Sequence, residues 1–383
     1  MKYVLTLIYP LNNNMKKRIL YLGGFELPDK NAAAQRVMTN AKLLREMGYE
    51  VIFMGISKDI AHAPQMVDGF ESRPIAYATS VKEWLKQVIT FVKTDEILKL
   101  NPEYVILYNF PAIASLRILK ACHQHAIKVI HDITEWESAT NWSPREVVRK
   151  IDIFLRMSYC IKKMDGVIAI SRYLYNYYQQ HTRTILIPPL VDLTDKKWNR
   201  ERTLTASTPF RLIYAGSAGY GTKDKLDFIV DALKDIPQLH LDVVGMTKEE
   251  YIKGYGHFPN GCNHIKFHGR ISHTETVKMV QDADFQLLIR EKSRKNDAGF
   301  PTKLVESISC CTPLIATLTS NIGDYLKNEV NGYIVSNEQS LKDILRKLTK
   351  IPPESVIKMK EACRQLTCFD YRNSKDSFQQ IFK

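Results

Sequence analysis

Short apolar runs rich in isoleucine and valine alternate along the chain with segments whose apolar residues recur at helical spacing. This alternation is typical of βαβ units, which wind a parallel sheet with helices on both faces. The first unit predicts a strand over 18–22, a helix over 33–47 that Gly48 ends, and a strand over 50–55. Further buried strands are predicted over 104–108, 128–132 and 166–170. The first half is therefore predicted to form a doubly wound α/β domain.

A second set of strands follows in the other half of the chain. Its predicted strands cover 210–214, 240–245, 265–268, 285–289 and 314–316. Ser272 with Glu275 forms a capping box that begins a helix ending at Ala283. Helices are also predicted over 304–311 and 340–350. The predicted fold class is α/β with two Rossmann-like, doubly wound domains that face each other across a cleft, where ligands bind at the carboxyl ends of the strands.

Changes in local composition predict the domain boundaries. Residues 1–14 are expected to be a frayed extension, because a second methionine at position 15 begins a plausible first strand. The amino-terminal domain is predicted over 15–192, and a polar linker over 193–208 follows the paired prolines 188 and 189. The second domain is predicted over 209–365, and 366–383 form a final helix that returns to the first domain.

Composition places the chain among globular proteins. Its 383 residues suffice for two domains, and 45% hydrophobic with 25% charged residues exclude disordered and collagen-like chains. No apolar run reaches the roughly 18 residues that a membrane helix needs. The seven cysteines show no metal-ligand spacing, and no export signal is recognised. We therefore expect a cytoplasmic protein with reduced thiols, free or peripheral on the inner face of the cell membrane.

The charge balance narrows the class of partner. The chain carries 54 Lys and Arg against 41 Asp and Glu, a formal net charge of +13. Such an excess favours nucleic acid, an anionic membrane surface or an anionic substrate. We expect no nucleic-acid partner, because no binding motif accompanies the charge. Two basic amphipathic stretches, 81–100 and 145–163, could contact anionic headgroups. The alternative, favoured for 81–100, is that the apolar faces pack on the first sheet.

One segment of the second half has the chemistry of an anion site. Gly299-Phe300-Pro301-Thr302-Lys303 lies between a predicted strand that ends at Arg290 and a predicted helix. Pro301 suits the first turn of a helix, where free amides and the positive end of the dipole hold anions. A diphosphate would sit there, with charge from Lys303 and Arg290 and with Glu306 one turn on to accept ribose hydroxyls. The alternative is that Lys303 is solvated and Glu306 only complements the dipole.

These segments resemble glycosyltransferase family 4, whose members are retaining enzymes of the two-domain GT-B fold. The donor segment over 299–307 carries the strongest likeness, and weaker pieces agree with it in order and spacing. Those pieces are Leu22-Gly23-Gly24, 36–55, 187–192, Tyr214-Ala215-Gly216-Ser217 with Lys223, Asn331-Gly332-Tyr333-Ile334-Val335 and Phe369-Asp370-Tyr371. The likeness extends over most of the chain and is greatest to enzymes that build bacterial surface polysaccharides.

The resemblance implies roles for the matching residues. Glu306 matches the second acid of the family's two-glutamate signature and would bind the ribose. The first acid falls at Ala298, so its contact with the transferred sugar is either missing or supplied by Asp297. Lys223, with Lys225 as the competing register, matches the phosphate-binding lysine. Further donor contacts are expected from Gly23, Gly24, Gly216, Ser217, Arg290, Gly299, Phe300, Pro301, Thr302 and Lys303.

The acceptor side is predicted at the end of the strand over 128–132. Ionisable groups at the carboxyl end of a parallel strand face the cleft, so Asp132 and Glu135 are expected to hold acceptor hydroxyls. His131 matches a family histidine near the donor sugar, and a structural role is its alternative. With Asp297, these residues form the predicted catalytic set. Two carboxylates about 5 Å apart would indicate double displacement, but the sequence offers no convincing nucleophile, which favours front-face transfer.

The function implied by the resemblance is transfer of a sugar, with retention, from a UDP- or GDP-linked donor to a glycan or polyprenyl-diphosphate-linked acceptor. The process would be surface polysaccharide synthesis, as in capsule or lipopolysaccharide. Cationic side chains and helix amides would stabilise the leaving diphosphate without a metal ion or other cofactor. The alternative is a non-catalytic nucleotide-sugar-binding subunit of a polysaccharide assembly complex, because Ala298 and Ser217 depart from the family pattern. A nicotinamide-dependent oxidoreductase would need a GxGxxG after the first strand, which Gly23-Gly24 does not supply.

Overall fold

The structure of the protein is a computed structural model that describes residues 17–28, 30–58, 65–136, 144–216 and 224–383. The first sheet contains β1 (Arg18–Gly23), β2 (Glu50–Ser57), β3 (Gln65–Val67), β4 (Phe70–Ser72), β5 (Ile75–Ala76), β6 (Tyr104–Tyr108), β7 (Lys128–Ile133), β8 (Gly166–Ala169) and β9 (Thr184–Leu186). The strand order is β3-β4-β2-β1-β6-β7-β8-β9, and β5 pairs with β2. These strands run parallel, except that β3 is antiparallel to β4.

The helices of the first half cover both faces of this sheet. They are α1 (Ala32–Glu46), α2 (Val81–Ile89), α3 (Thr94–Leu98), α4 (Ala112–His123), α5 (Pro144–Leu155) and α6 (Arg172–Tyr178). Along β1, Ile19 and Tyr21 join one hydrophobic cluster, whereas Leu20 and Leu22 join another. Successive side chains of a strand point to opposite faces, so a strand covered on both sides must be apolar at every position. This explains the continuous apolar runs from which the strands were predicted.

The second sheet repeats this plan with six parallel strands. They are β10 (Arg211–Ala215), β11 (His240–Val244), β12 (Ile265–Gly269), β13 (Phe285–Leu288), β14 (Leu314–Thr317) and β15 (Gly332–Val335), in the order β12-β11-β10-β13-β14-β15. Its helices are α7 (Leu226–Leu233), α8 (Lys248–Tyr255), α9 (His273–Asp282), α10 (Arg294–Ala298), α11 (Thr302–Ser309), α12 (Glu338–Leu348) and α13 (Pro353–Gln365). The predicted capping box of Ser272 and Glu275 is confirmed at the start of α9.

Two connections join the halves. The segment over 193–208 packs along the second half, where Arg200 donates hydrogen bonds to the carbonyls of Ile308 (3.0 Å) and Ser309 (3.2 Å). The last helix, α14 (Lys375–Ile381), returns to the first half, where Phe378 and Ile381 join a core cluster beside β1 and β6. A further buried cluster includes residues of both halves, such as Ile133 and Phe300. The two halves therefore share a hydrophobic core at the floor of the cleft.

The two basic stretches take different forms. Residues 81–100 do not form one helix, because α2 ends at Ile89 and α3 begins at Thr94. The helix α5 continues into a π-helical turn, Arg156–Cys160, and a short 3-10 turn, Ile161–Lys163. Among the described residues, no helix is both long and apolar enough to cross a membrane.

Candidate functional site

A cavity of about 610 Å³ lies between the two sheets. From the first half, α1 and the segments after β6 and β7 line it with Arg36, Tyr108 and Glu135. From the second half, the walls include Arg290, His273 and the segment Phe300-Pro301-Thr302 with Glu306. Tyr108, Glu135 and Arg290 lie at the carboxyl ends of their strands, where open α/β sheets bind ligands.

The wall from the second half contains a compact ionic cluster. Arg290 lies just beyond β13, and its Nε is 2.6 Å from Oδ1 of Asp224. Lys303, in the first turn of α11, donates its Nζ to the other oxygen of the same carboxylate. Tyr214 donates its hydroxyl to that oxygen over 3.0 Å. The structure thus brings both cations to one buried aspartate, which precedes them in the sequence by 66 and 79 residues.

Both cations of this cluster share one carboxylate. Burial alone would raise the pKa of Asp224, but Lys303 and Arg290 together hold it well below its ordinary value. The carboxylate is therefore ionised at neutral pH and pairs with both cations. Gly216 permits this arrangement, since a Cβ at that position would collide with the ammonium of Lys303. Arg290 also lines the cavity, and a cation on a cavity wall favours an anionic ligand.

The start of α11 adds backbone donors to the same wall. Pro301 is the N-cap and makes no side-chain cap hydrogen bond to the first amides of the helix. Amides at a helix start carry the positive end of the dipole and bind anions readily. Glu306, one turn further on, lines the cavity with 23% of its side chain exposed, and its Oε1 lies 3.4 Å from Nε2 of His273. The start of α11 therefore offers hydrogen-bond donors to an anion, and Glu306, one turn further along the helix, offers a carboxylate acceptor.

Two predicted residues of the first half do not face the cleft. His131 and Asp132 are both fully buried, so the expectation that their side chains point into the cleft is wrong. The reason is that β7 runs between β6 and β8, and packed elements cover it up to its last residue. Burial and nearby Arg156 lower the pKa of His131 to about 3, so its ring is neutral at neutral pH.

Asp132 instead forms a buried pair with Arg36. Its Oδ1 lies 2.7 Å from Nη2 of Arg36, and its Oδ2 accepts the hydroxyl of Tyr21 at 2.5 Å. The same guanidinium donates to the carbonyls of Ile187 (3.0 Å) and Pro188 (3.3 Å), which belong to the segment that leaves the first sheet. Arg36 lines the cavity and was not among the predicted site residues. Its signal in the sequence is a lone arginine beside the apolar stripe of α1.

Glu135 lies on the cavity wall, at the place where the acceptor side was predicted. It is exposed and follows Thr134, whose hydroxyl accepts from Nδ2 of Asn109 over 2.6 Å. The amide of Thr134 also donates to Oδ1 of Asn109 over 3.2 Å. These bonds hold the segment after β7 and so fix the position from which Glu135 projects.

Asp297 and Ala298 are committed to other contacts. Oδ1 of Asp297 accepts the amide of Ser320 over 3.0 Å, and the described cavity wall does not include this aspartate. Ala298 is fully buried in the cluster shared by the two halves, and its carbonyl accepts the hydroxyl of Ser171 over 2.6 Å. The position of the family's first acid therefore forms part of the contact between the halves.

Some of the predicted glycines lie near the cavity and others do not. A Cβ at Gly23 would collide with the carbonyl of Tyr108, so this glycine permits close pairing of β1 with β6. Gly24 is exposed with open space around it, and neither glycine lines the cavity. Gly299 precedes Phe300 on the cavity wall, with ordinary contacts around it. Ser217 and Lys223 lie outside the described residues.

Asp224 and His273 are further site residues that were not predicted. Asp224 lies beside Lys223 and Lys225 in the sequence, where three charges in a row resemble a solvated turn. His273 could have been found, because the capping box of Ser272 places it in the first turn of α9. Among the described residues, no group of three or more His, Cys, Asp or Glu side chains is arranged to hold a metal ion.

Comparison with solved structures defines the class of fold. The chain is similar to sucrose-phosphate synthase from Thermosynechococcus elongatus, with a TM-score of 0.71 and 16% identity over 96% of this chain and 98% of that chain. It is also similar to HepE from Anabaena in complex with UDP and glucose, with a TM-score of 0.63 and 13% identity over 96% and 99% of the two chains. The predicted GT-B fold is thereby confirmed.

Comparison of sequences adds a domain family. Residues 195–366, in the second half of the chain, match the model of the family Glycosyl transferases group 1. An uncharacterised glycosyltransferase of Methanocaldococcus jannaschii is 25% identical over 196 residues, which are 50% of this chain and 51% of that protein. The chain thus spans about half the length of this curated relative. The cluster of Asp224, Arg290 and Lys303 lies within the matched domain.

Proposed function

We propose that the protein is a glycosyltransferase that moves a sugar from a nucleoside diphosphate donor, UDP- or GDP-linked, to a hydroxyl of a glycan or polyprenyl-diphosphate-linked acceptor. The observation that carries the proposal is that Arg290 lines the cavity beside the start of α11 and shares the carboxylate of Asp224 with Lys303. HepE, which shares the fold, is known in complex with UDP and glucose, and this supports a nucleotide sugar as donor. The process proposed is surface polysaccharide synthesis, in capsule or lipopolysaccharide.

In this proposal the diphosphate lies at the start of α11. Its oxygens accept hydrogen bonds from Lys303, from Arg290 and from the first amides of the helix. The ribose hydroxyls lie one turn further along α11 and donate to Glu306, with His273 on the far side of that carboxylate. Gly216 borders the diphosphate at the end of β10, and the family resemblance implies donor contacts from Ser217 and Lys223, which lie outside the described residues. Gly299, Phe300, Pro301 and Thr302 form the surface on which the donor lies.

The chemical step proposed is front-face transfer with retention. The bond between the anomeric carbon and the diphosphate oxygen breaks, and the acceptor oxygen bonds to the same face of that carbon. The acceptor proton passes to the departing diphosphate oxygen, so the diphosphate acts as the base. Negative charge grows on this leaving group, and the cations Arg290 and Lys303 stabilise it most at that point. No metal ion or other cofactor takes part in the proposed step.

The first domain supplies the acceptor side. Glu135, exposed on the cavity wall, is proposed to accept a hydrogen bond from the acceptor hydroxyl and to orient it. Arg36 lies on the same wall, and its pair with Asp132 fixes the direction of its guanidinium. We assign Asp132 a positioning role through Arg36, because its own oxygens are buried and already accept hydrogen bonds.

The test is nucleoside diphosphate release with a panel of UDP- and GDP-sugars, followed by nuclear magnetic resonance of the product. We expect one donor class to be turned over, the anomeric configuration to be retained, and the rate to be unchanged by a chelator. Glu306→Gln should weaken nucleotide binding roughly tenfold, since it removes a charged acceptor for the ribose. Glu354→Gln, on the exposed start of α13, is the matched control. Inversion at the anomeric carbon, or binding of no nucleoside diphosphate, would refute the proposal.

A second candidate is the non-catalytic nucleotide-sugar-binding subunit. The observation that favours it is Ala298, which stands where the family has its first acid and is buried in the contact between the halves. The two candidates differ in turnover. Binding of a nucleotide sugar that Glu306→Gln weakens, with no hydrolysis or transfer over the whole acceptor panel, would favour the binding subunit.

A further inference from the structure

Exposed apolar side chains are concentrated on one part of the first domain. Thirteen large hydrophobic residues are exposed in the described part of the chain, and eight of them lie on three helices of the first domain or directly after them. This apolar face consists of Val81, Leu85 and Ile89 on α2, Ile113 on α4, Val147, Ile151 and Phe154 on α5, and Tyr159 in the π-helical turn that follows. An apolar patch of this kind marks a binding surface.

The spacing of these residues makes the face continuous. The exposed residues of α2 are four apart and those of α5 are four and three apart, so each set lies along one side of its helix. Ile153, on the other side of α5, is buried. The helix α4 packs against both α2 and α5, and the guanidinium of Arg145 lies 5.0 Å from the ring of Trp84. The stripes therefore belong to one surface.

Positive charge surrounds the apolar face. Lys82 and Lys86 lie on α2, and Arg145, Arg149 and Lys150 lie on α5. The acids of these helices are engaged locally: Oε2 of Glu83 accepts the amide and the hydroxyl of Thr79, each over 2.8 Å. Oδ1 of Asp152 accepts the amide of Ala112 over 2.8 Å, and Glu146 lies 3.4 Å from Arg149. The two helices carry five basic against three acidic residues, so the face is positive on balance.

We infer that this face docks the first domain on an anionic lipid bilayer. Exposed Phe154 and Ile151, at 67% and 56%, enter the boundary between headgroups and acyl chains, while the surrounding lysines and arginines contact the headgroups. A second copy of the chain is the weaker occupant, because a two-fold interface would set two positive faces against each other. The hydrogen bond from the amide of Ala112 to Asp152 places the middle of α5 near the end of β6, the edge from which Tyr108 lines the cavity.

The direct test is cosedimentation of the whole chain with vesicles, which needs no nucleotide and so succeeds or fails independently of the donor site. Vesicles of equal parts phosphatidylcholine and phosphatidylglycerol should bind the protein, whereas phosphatidylcholine alone should not. The triple variant Val147→Ser, Ile151→Ser, Phe154→Ser should lose at least roughly tenfold in vesicle affinity, because it removes the apolar contacts. The matched control is Met66→Ser, Ile252→Ser, Val330→Ser, which removes three exposed apolar side chains elsewhere.

The charged part of the surface has its own variant. Arg149→Gln with Lys150→Gln should lower affinity for the anionic vesicles roughly tenfold, and added salt should weaken the wild type in the same direction. Lys253→Gln with Lys266→Gln, on the exposed surface of the second domain, is the control pair. Unchanged circular dichroism shows that each variant folds. Failure to bind anionic vesicles, equal binding to neutral ones, or an apolar variant that changes only the oligomeric state would overturn the inference.

Discussion

Each domain pairs an aspartate with an arginine at the edge of the cleft, but the two clusters differ in the number of cations that share the aspartate. In the first domain Asp132 forms an ion pair with Arg36, the two side chains are 0% and 3% exposed, and backbone carbonyls take other donors of the guanidinium. In the second domain Asp224 pairs with both Arg290 and Lys303. The first cluster is a buried pair that stabilises the domain and fixes the direction of Arg36. The second gathers two cations around one carboxylate, and Arg290 of this cluster lines the cavity, which suits it to an anion.

The strongest test of this difference is Asp132→Ala, which breaks the buried pair of the first cluster. It leaves the charge of Arg36 buried without its partner, so the free energy of unfolding should fall by about 3–5 kcal/mol. Equilibrium unfolding in urea measures this loss. Asp343→Ala, which removes an exposed aspartate of α12, should change stability by less than about 0.5 kcal/mol. A loss below about 1 kcal/mol for Asp132→Ala would contradict a structural role for the first cluster.

Substitutions in the second cluster should change UDP affinity more than they change the free energy of unfolding. Lys303→Met keeps the length of the side chain but removes its charge, so UDP affinity should fall roughly 10- to 100-fold. Isothermal titration with UDP gives the effect, and urea unfolding should show a smaller change than for Asp132→Ala. Lys342→Met removes a lysine that pairs with Asp231 and Glu338 on the far helices and serves as control. Equal UDP affinity in both variants would show that the cluster does not belong to the donor site.

The pH dependence of stability separates the clusters further. The pKa of His131 is about 3 when folded against 6.5 as the ordinary value, so below pH 6.5 the unfolded chain takes up a proton that the folded chain does not. Stability should therefore fall by about 1.4 kcal/mol per pH unit below 6.5, down to about pH 3. The lowered pKa of Asp224 acts in the same direction but at lower pH: the stability it contributes is present above an unfolded value of about 4 and is lost only as pH falls further.

The measurement is urea unfolding at pH 7, 6 and 5 for the wild type and for His131→Phe, which removes the buried imidazole. The difference in slope between the two should equal the contribution of His131. His181→Phe, at an exposed turn, controls for the loss of a histidine. Identical slopes for the wild type and His131→Phe would show that the buried ring does not resist protonation.

The smallest effect is expected from a pair of glycines, one in each domain. Gly216→Ala puts a methyl group against the ammonium of Lys303, which must move, so UDP affinity should fall a fewfold, roughly three- to tenfold. Gly24→Ala adds its methyl group in open space and should leave UDP affinity unchanged. Titration of both variants with UDP compares them directly. A larger loss of UDP affinity for Gly24→Ala than for Gly216→Ala would show that the donor contacts the first domain instead.

The local pattern was enough to predict most strands of both sheets. β6 was predicted with its observed bounds, and β1, β7 and β8 within a residue, because strands buried on both faces carry uninterrupted apolar runs. The short strands β3, β4, β5, β9 and β15 were not predicted. β3, β4 and β5 are two or three residues long and partly exposed, so they carry too little apolar sequence to stand out from loops.

What the sequence by itself determined was the α/β class, the two-domain plan and the anion chemistry of the segment around Pro301 and Lys303. These follow from periodicity and from residue types that act over one or two turns of chain. Only the tertiary structure decided that Asp132 is sealed under Arg36 while Asp224 holds Arg290 and Lys303 together. The physical reason is that an ionisable residue acts through its burial and its partners, and packing brings those partners from distant parts of the chain.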